Sequence, residues 1–137
     1  MLKIRNSEGK EVYAHYGKHN KRKDLFKKGV IKSSTVSAIT GALEKVLAPG
    51  GTGNRVRQYY KGLAAGKTGT SNNHQDAWFV GYTPKVCGAI WIGGIHNKPL
   101  PAQYNSGGTL AAPLWGKIMS AIEGKRQDIR TNKWSWQ

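Results

Sequence analysis

The chain has 137 residues, 38% of them apolar and 21% charged, and carries 22 Lys/Arg against 7 Asp/Glu for a net charge of +15. That length fits one small domain with a modest core, the composition excludes wholesale disorder, and without a long apolar run the chain has no membrane-spanning helix. Its single cysteine, Cys87, excludes a disulfide framework and a thiolate zinc cluster; between Val86 and Gly88 in an apolar run, it reads as a small buried hydrophobe.

The first residues, Met1-Leu2-Lys3-Ile4-Arg5, lack the apolar stretch of a secretory signal. Residues 2–16 read as a hairpin: Leu2 to Arg5 alternates, Asn6-Ser7-Glu8-Gly9 turns, and Glu11 to Ala14 returns. Residues 17–32 are a polar, basic loop. Residues 1–32 together hold 10 Lys/Arg against 3 Asp/Glu, mainly through Lys18, Lys21, Arg22, Lys23, Lys27 and Lys28. Such a field attracts nucleic acid, anionic lipid or acidic polymers without choosing among them. No helix-turn-helix, zinc finger or RNP-like run accompanies it, so no specific nucleic-acid partner is expected.

A helix begins at Ser33 or Ser34, whose hydroxyl can cap the first turn. Val36, Ile39, Leu43, Val46 and Leu47 fall at helical spacing as its apolar face, and Pro49-Gly50-Gly51 ends it. Residues 54–61 make a short helix or turn. Three strands follow, over Leu63–Thr70, Asp76–Tyr82 and Val86–Gly93. Thr83-Pro84-Lys85 is too short for a crossover, so the last two strands are antiparallel. Their continuous apolar stretches, Trp78-Phe79-Val80 and Ile90-Trp91-Ile92, imply a sheet covered on both faces. Residues 94–108 are loop. A second helix runs from near Thr109 to Glu123, with Pro113 in its first turn and Leu110, Leu114, Ile118, Met119 and Ile122 as its buried face. The tail from Lys125 to Gln137 is polar apart from Trp134 and Trp136. The fold class is α+β: a short antiparallel sheet of about three strands packed with two main helices, plus an N-terminal hairpin.

Several patterns resemble functional motifs in letters only. Gly62-Leu63-Ala64-Ala65-Gly66-Lys67-Thr68 has three residues between its glycines where a phosphate-binding loop has four, and a strand rather than a helix follows. His15 and His19 flank a glycine turn with no acidic partner, so no metal is expected there. His74 and Asp76 lie on one strand face, where a surface hydrogen bond is the expected role.

Lys67-Thr68-Gly69-Thr70 differs in kind. The lysine offers a fixed positive charge to a carboxylate, and the Thr70 hydroxyl adds a charge-assisted hydrogen bond. The Thr70 backbone N–H, on an accessible strand edge, can aim at a developing oxyanion. Gly69 lets a ligand approach the backbone closely.

Three segments taken together, Gly50-Gly51-Thr52-Gly53-Asn54-Arg55, Ala65 to Asn72 and Asp76 to Pro84, resemble the transpeptidase domain of class A penicillin-binding proteins. Gly107-Gly108-Thr109-Leu110-Ala111-Ala112-Pro113-Leu114-Trp115 is similar to the start of that domain's C-terminal helix, and the resemblance covers roughly residues 2–124. It implies a partial penicillin-binding and β-lactamase-like transpeptidase fold over 1–124, with 125–137 as a polar tail. It also implies a role in cross-linking peptidoglycan stem peptides, acylation by β-lactams and a periplasmic or extracytoplasmic setting. Lys67, Thr68, Gly69 and Thr70 then become substrate-binding residues, with the Thr70 N–H as half of an oxyanion hole.

The family pattern has three parts, Ser-x-x-Lys, Ser-x-Asn and Lys-Thr-Gly, and only the third stands here. Ser7-Glu8-Gly9-Lys10 falls in a hairpin turn, whereas the family's serine opens a buried helix. Ser71-Asn72-Asn73 directly abuts the lysine strand, whereas the family's Ser-x-Asn lies on a separate upstream loop. The chain therefore reads as the C-terminal part of a transpeptidase domain that begins after its nucleophile. It contributes carboxylate recognition for stem peptide or β-lactam in the complete domain; its remaining groups can only bind, and it is inactive alone. No cofactor or metal is implied. Apolar surface left open by missing segments predicts self-association or a complementing chain. The alternative is a non-catalytic basic module that binds anionic polymer or peptidoglycan through Lys18–Lys28 with Trp134 and Trp136.

Overall fold

The computed structural model describes residues 3–5, 8–14, 30–124 and 134, and the chain divides into two units, Met1–Lys32 and Ser33–Gln137. In the first unit, β1 (Lys3–Arg5) pairs antiparallel with β2 (Glu11–Ala14). Gly9 supplies the positive φ of +75° that the connecting turn uses. The register runs Lys3↔Ala14 and Ile4↔Tyr13, then skips to Arg5↔Glu11. The hairpin is thus as expected, with an irregularity at its turn end. His15, His19 and the basic run from Lys18 to Lys28 lie outside the described residues.

The second unit opens with α1 (Ser33–Lys45). The chain then doubles back, with Gly50 at φ +82° and the Gly53 N–H bonded to Val46 O at 2.9 Å. A 3₁₀ turn spans Asn54–Gln58. Next come β3 (Ala65–Thr70), β4 (Asp76–Tyr82) and β5 (Cys87–Gly93), antiparallel throughout in the order β3-β4-β5. Ser71 shapes the first connection by accepting from the N–H groups of Gln75 and Asp76 at 3.0 and 2.9 Å. Thr83 shapes the second by accepting from those of Lys85 and Val86 at 3.1 and 3.0 Å. After a loop, a π-helical turn (Gly107–Ala111) leads into α2 (Ala112–Glu123), with Pro113 in its first turn as expected.

The core lies between one sheet face and α2, around fully buried Trp115, Phe79, Leu47 and Val56. Trp115 packs on Phe79 at 5.4 Å between ring centroids and edge-on against Tyr60 at 6.1 Å. Its Nε1–H donates to Gly88 O at 3.0 Å. Gly81 and Gly88 create the slot: a Cβ on Gly81 would lie 3.0 Å from the Trp115 ring, and one on Gly88 3.2 Å from Nε1.

Four expectations need correction. The buried face of α2 is Ala111, Ala112, Trp115, Met119 and Glu123, rotated from the expected one, and Leu114 and Ile122 are exposed. The glycine slot decides this, because only the indole is long enough to fill it. On α1, Ile39 is exposed and the next residue, Thr40, is buried, its hydroxyl bonded to the Tyr82 hydroxyl at 2.8 Å. Cys87 is exposed, because β5 alternation places 87, 89 and 91 on the face away from α2. The second sheet face is covered only at its Ala65–Tyr82 end, where Ala65 is buried and α1 brings Thr40 to the Tyr82 hydroxyl, whereas Trp78, Val80 and Trp91 stay 43, 45 and 57% exposed. That open apolar face accords with the expectation of exposed surface on an incomplete fold.

At the far end of α2, buried Glu123 accepts from the Thr83 hydroxyl at 2.7 Å and from the Tyr60 hydroxyl. Burial first, and the hydrogen bond and charge of Glu123 after it, push the Tyr60 phenol far above its ordinary value near 10. The folded chain therefore keeps this proton at a pH where the unfolded chain has lost it. Stability from this group is complete below about pH 10 and falls above it, at about 1.4 kcal/mol per pH unit. Denaturant melts of wild type and Tyr60→Phe across this range should show the extra alkaline slope in wild type alone. Equal slopes would show that folding does not raise the Tyr60 phenol.

Candidate functional site

The sequence-predicted residues occupy β3, whose partner β4 lies on one side only among the described residues. Two alternations fix what this strand presents. The first concerns side chains. Thr68 and Thr70 lie opposite buried Phe79 and Ala77 and so share the face of the core. Lys67 and Gly69 lie opposite Val80 and Trp78 and share the open face.

The second alternation concerns the backbone. Ser71 N–H donates to Asp76 O at 3.2 Å, which directs the peptide groups of the odd-numbered residues toward β4. In an antiparallel ladder the intervening residues then turn theirs to the other side. The N–H of Thr70 and the C=O of Thr68 therefore face the free edge.

Lys67 comes to that same edge. Its ammonium donates to Thr68 O at 2.9 Å and reaches the Thr68 hydroxyl at 3.4 Å. Although rooted on the open face, it bends round the strand to stand beside the edge carbonyl. Thr70 Oγ1 accepts from the Gly107 N–H at 3.1 Å, which leaves its own hydrogen to donate outward from an exposed residue. One edge thus carries an ammonium, a hydroxyl and a backbone N–H. Such a set suits a carboxylate, since charge-assisted bonds are roughly twice as strong as neutral ones.

Two neighbouring segments hold the strand, and sequence reasoning assigned neither to the site. Thr52 bonds the Thr68 hydroxyl at 2.9 Å, Oγ1 to Oγ1. Gly107 lies so close to β3 that a Cβ there would overlap Trp78 O and stand 2.6 Å from Gly69 O. Ser106 fixes this approach through a reciprocal cap with Thr109, each accepting from the other's N–H at 3.2 Å. The pair Gly107-Gly108 ahead of a capped helix was the available signal, since adjacent glycines there mark close backbone packing. Gly107→Ala should cost about 1–3 kcal/mol, because backbone atoms on both sides cannot yield. It should also raise amide exchange at Ser71, whose N–H donates to Asp76 O. Unchanged melting and exchange would show that the loop does not brace the strand.

Other sequence candidates have structural partners. His74 Nδ1 pairs with Asn105 O at 3.0 Å, while Asp76 accepts from Trp91 Nε1 at 2.9 Å. The two do not form an acid–base pair with each other. Ser71 spends its oxygen on the turn described above. Trp134 donates to Glu44 Oε1 at 2.8 Å and packs on Tyr82 at 5.4 Å. Ser7 and Trp136 lie outside the described residues. Among the described residues, no three of His, Cys, Asp and Glu gather as a metal site, and no helix is long and apolar enough to cross a membrane.

Comparison with known proteins gives a consistent result. The family profile of the penicillin binding protein transpeptidase domain matches residues 4–120. Penicillin-binding protein 1A of Neisseria meningitidis is 46% identical over 63 residues, which are 45% of this chain and 8% of that protein. Its namesake in Pseudomonas aeruginosa is 34% identical over 90 residues, 66% of this chain and 11% of that protein. Its namesake in Aquifex aeolicus is 40% identical over 60 residues, 44% of this chain and 8% of that protein. The matched part of the chain thus spans only 8 to 11% of the length of these relatives.

Proposed function

The chain belongs to the penicillin-binding protein transpeptidase family, and from that premise we propose that it supplies the carboxylate-binding strand of a peptidoglycan D,D-transpeptidase site whose serine nucleophile lies outside these 137 residues. Residues 1–124 are the C-terminal portion of that domain and 125–137 a polar tail. The Lys67 ammonium pairs with the carboxylate of a stem peptide or β-lactam. The Thr70 hydroxyl donates to the same group, and the Thr70 N–H forms half of the oxyanion hole. Thr68 and Gly69 shape the strand, Thr68 through Thr52 and Gly69 because a Cβ there would stand 3.1 Å from the Trp78 Cβ on the paired strand.

The observation that carries this reading is the convergence of three donors on the unpaired edge of β3. Nothing in that set can attack a carbonyl. Thr70 lacks a base, and in the family the lysine of this motif binds the carboxylate. A fluorescent penicillin should therefore leave no covalent label on the chain alone, because without an activated serine no acyl-enzyme forms. Stoichiometric labelling that survives denaturation would place a nucleophile within these residues and overturn this division of labour. A complementing chain or second copy would cover Trp78, Val80 and Trp91, and the setting is extracytoplasmic. The alternative, a basic module for anionic polymer, draws on Trp134, whose ring is already engaged with Tyr82 and Glu44.

A further inference from the structure

We propose that the groove between the Asn54–Gln58 turn and the first half of α2 is a second binding site, for an acidic polypeptide segment that carries an apolar side chain. The groove has a volume of about 440 Å³, within the range of ligand-sized clefts. Its floor is apolar, from Leu110, Pro113 and Leu114, and its rim carries Arg55 and Lys117. Tyr59, Tyr104 and Leu114 remain 42, 48 and 39% exposed there. An open apolar patch rimmed by charge marks an interaction surface.

The charges specify the partner. No acidic residue lines this groove or the adjoining one of about 400 Å³, which shares Arg55 and adds Arg57 and Lys61. Arg57 and Lys61 are turned inward, donating to Gly62 O and Arg57 O. The Arg55 guanidinium has no hydrogen bond or ion pair among the described residues. Among the described residues Lys117 has only the Tyr59 ring, 4.7 Å from its Nζ, which holds the cation over the groove. A carboxylate bound by either cation replaces water without displacing an internal partner, and a planar guanidinium suits it best.

The apolar floor separates a polypeptide from other polyanions. A phosphate backbone would use the cations and leave Leu114 and Tyr104 wet. An acidic segment with leucine or phenylalanine uses both, and Tyr and Arg are the residue types on which interface energy concentrates.

Fluorescence anisotropy with the full chain tests this. The probe is a short fluorescein-labelled peptide of glutamates interrupted by leucine and phenylalanine. Its comparators are the same peptide with serine at the apolar positions, and an oligothymidylate of equal charge. The apolar-acidic peptide should bind at least about tenfold more tightly than either comparator at physiological salt. Arg55→Glu and Lys117→Glu should each weaken it about tenfold, whereas Lys98→Ala, at an exposed position outside the groove, should leave it unchanged. Both charge reversals are at exposed positions, and circular dichroism verifies that the fold is kept. Equal binding of the three probes would reduce the groove to undirected positive charge. Loss in Lys67→Ala alone would assign the peptide to the β3 edge instead. No binding of the first probe would refute the site outright.

Discussion

Trp115→Ala is expected to lower the stability of the chain by about 3–5 kcal/mol, the largest effect of any single substitution considered. The indole is fully buried, so its removal forfeits both transfer energy and packing. It also leaves a cavity that Phe79, Tyr60 and the glycine strands cannot close without moving the sheet. Small domains hold about 5–15 kcal/mol in total, so the variant should lose at least about a fifth of its stability. Urea melts followed by circular dichroism measure the loss. Trp115→Phe separates the contributions. It keeps much of the ring but abandons the part-buried bond to Gly88 O, a loss of about 0.5–1.5 kcal/mol. A Trp115→Ala variant within about 1 kcal/mol of wild type would mean that the core is organised around something else.

Lys67→Ala should have the second large effect, on binding rather than stability. The lysine is exposed and among the described residues donates only to its neighbour's backbone oxygen and hydroxyl, so the fold should change by no more than about 0.5 kcal/mol. A hydrogen bond to a charged group contributes about 1.5–3 kcal/mol, so carboxylate affinity should fall about 10- to 150-fold. Lys67→Arg keeps the charge and loses the geometry, because a planar fork cannot occupy the place of an ammonium resting on Thr68 O. It should recover part of the affinity. Equal affinities in all three proteins would remove the lysine from the site.

The pattern of local signals reached most of the fold. The hairpin, α1, the three antiparallel strands and the proline in the first turn of α2 were legible, because turn residues and apolar runs delimit each element. Orientation was less legible. In α2 nearly every position from Leu110 to Ile122 is apolar or small, so two stripes satisfy the helical period equally well. The choice falls to Trp115 only once β4 and β5 are paired, with Gly81 opposite Gly88. Thr40 is buried because Tyr82 offers a hydroxyl partner across 42 positions of sequence, a contact that no local window contains. Cys87 and the open sheet face follow the same logic, since alternation assigns a face but does not say whether anything lies against it.

The candidate site divides the same way. Lys67 to Thr70 stood out because residue types and order alone define that chemistry. What holds it came from distant segments, Thr52 through a hydroxyl pair and Gly107 through the absence of a side chain. Those contributions depend on register and close approach, which the sequence of β3 does not encode.

The most direct measurement is an amide-resolved NMR titration of the chain with N-acetyl-D-alanyl-D-alanine and, separately, with its C-terminal carboxamide. The expected result is a saturable shift centred on the Thr70 N–H and the Lys67 side chain, produced by the free acid, much weaker with the carboxamide and lost in Lys67→Ala. Equal shifts from acid and amide, or shifts centred away from the free edge of β3, would contradict a carboxylate site on this strand.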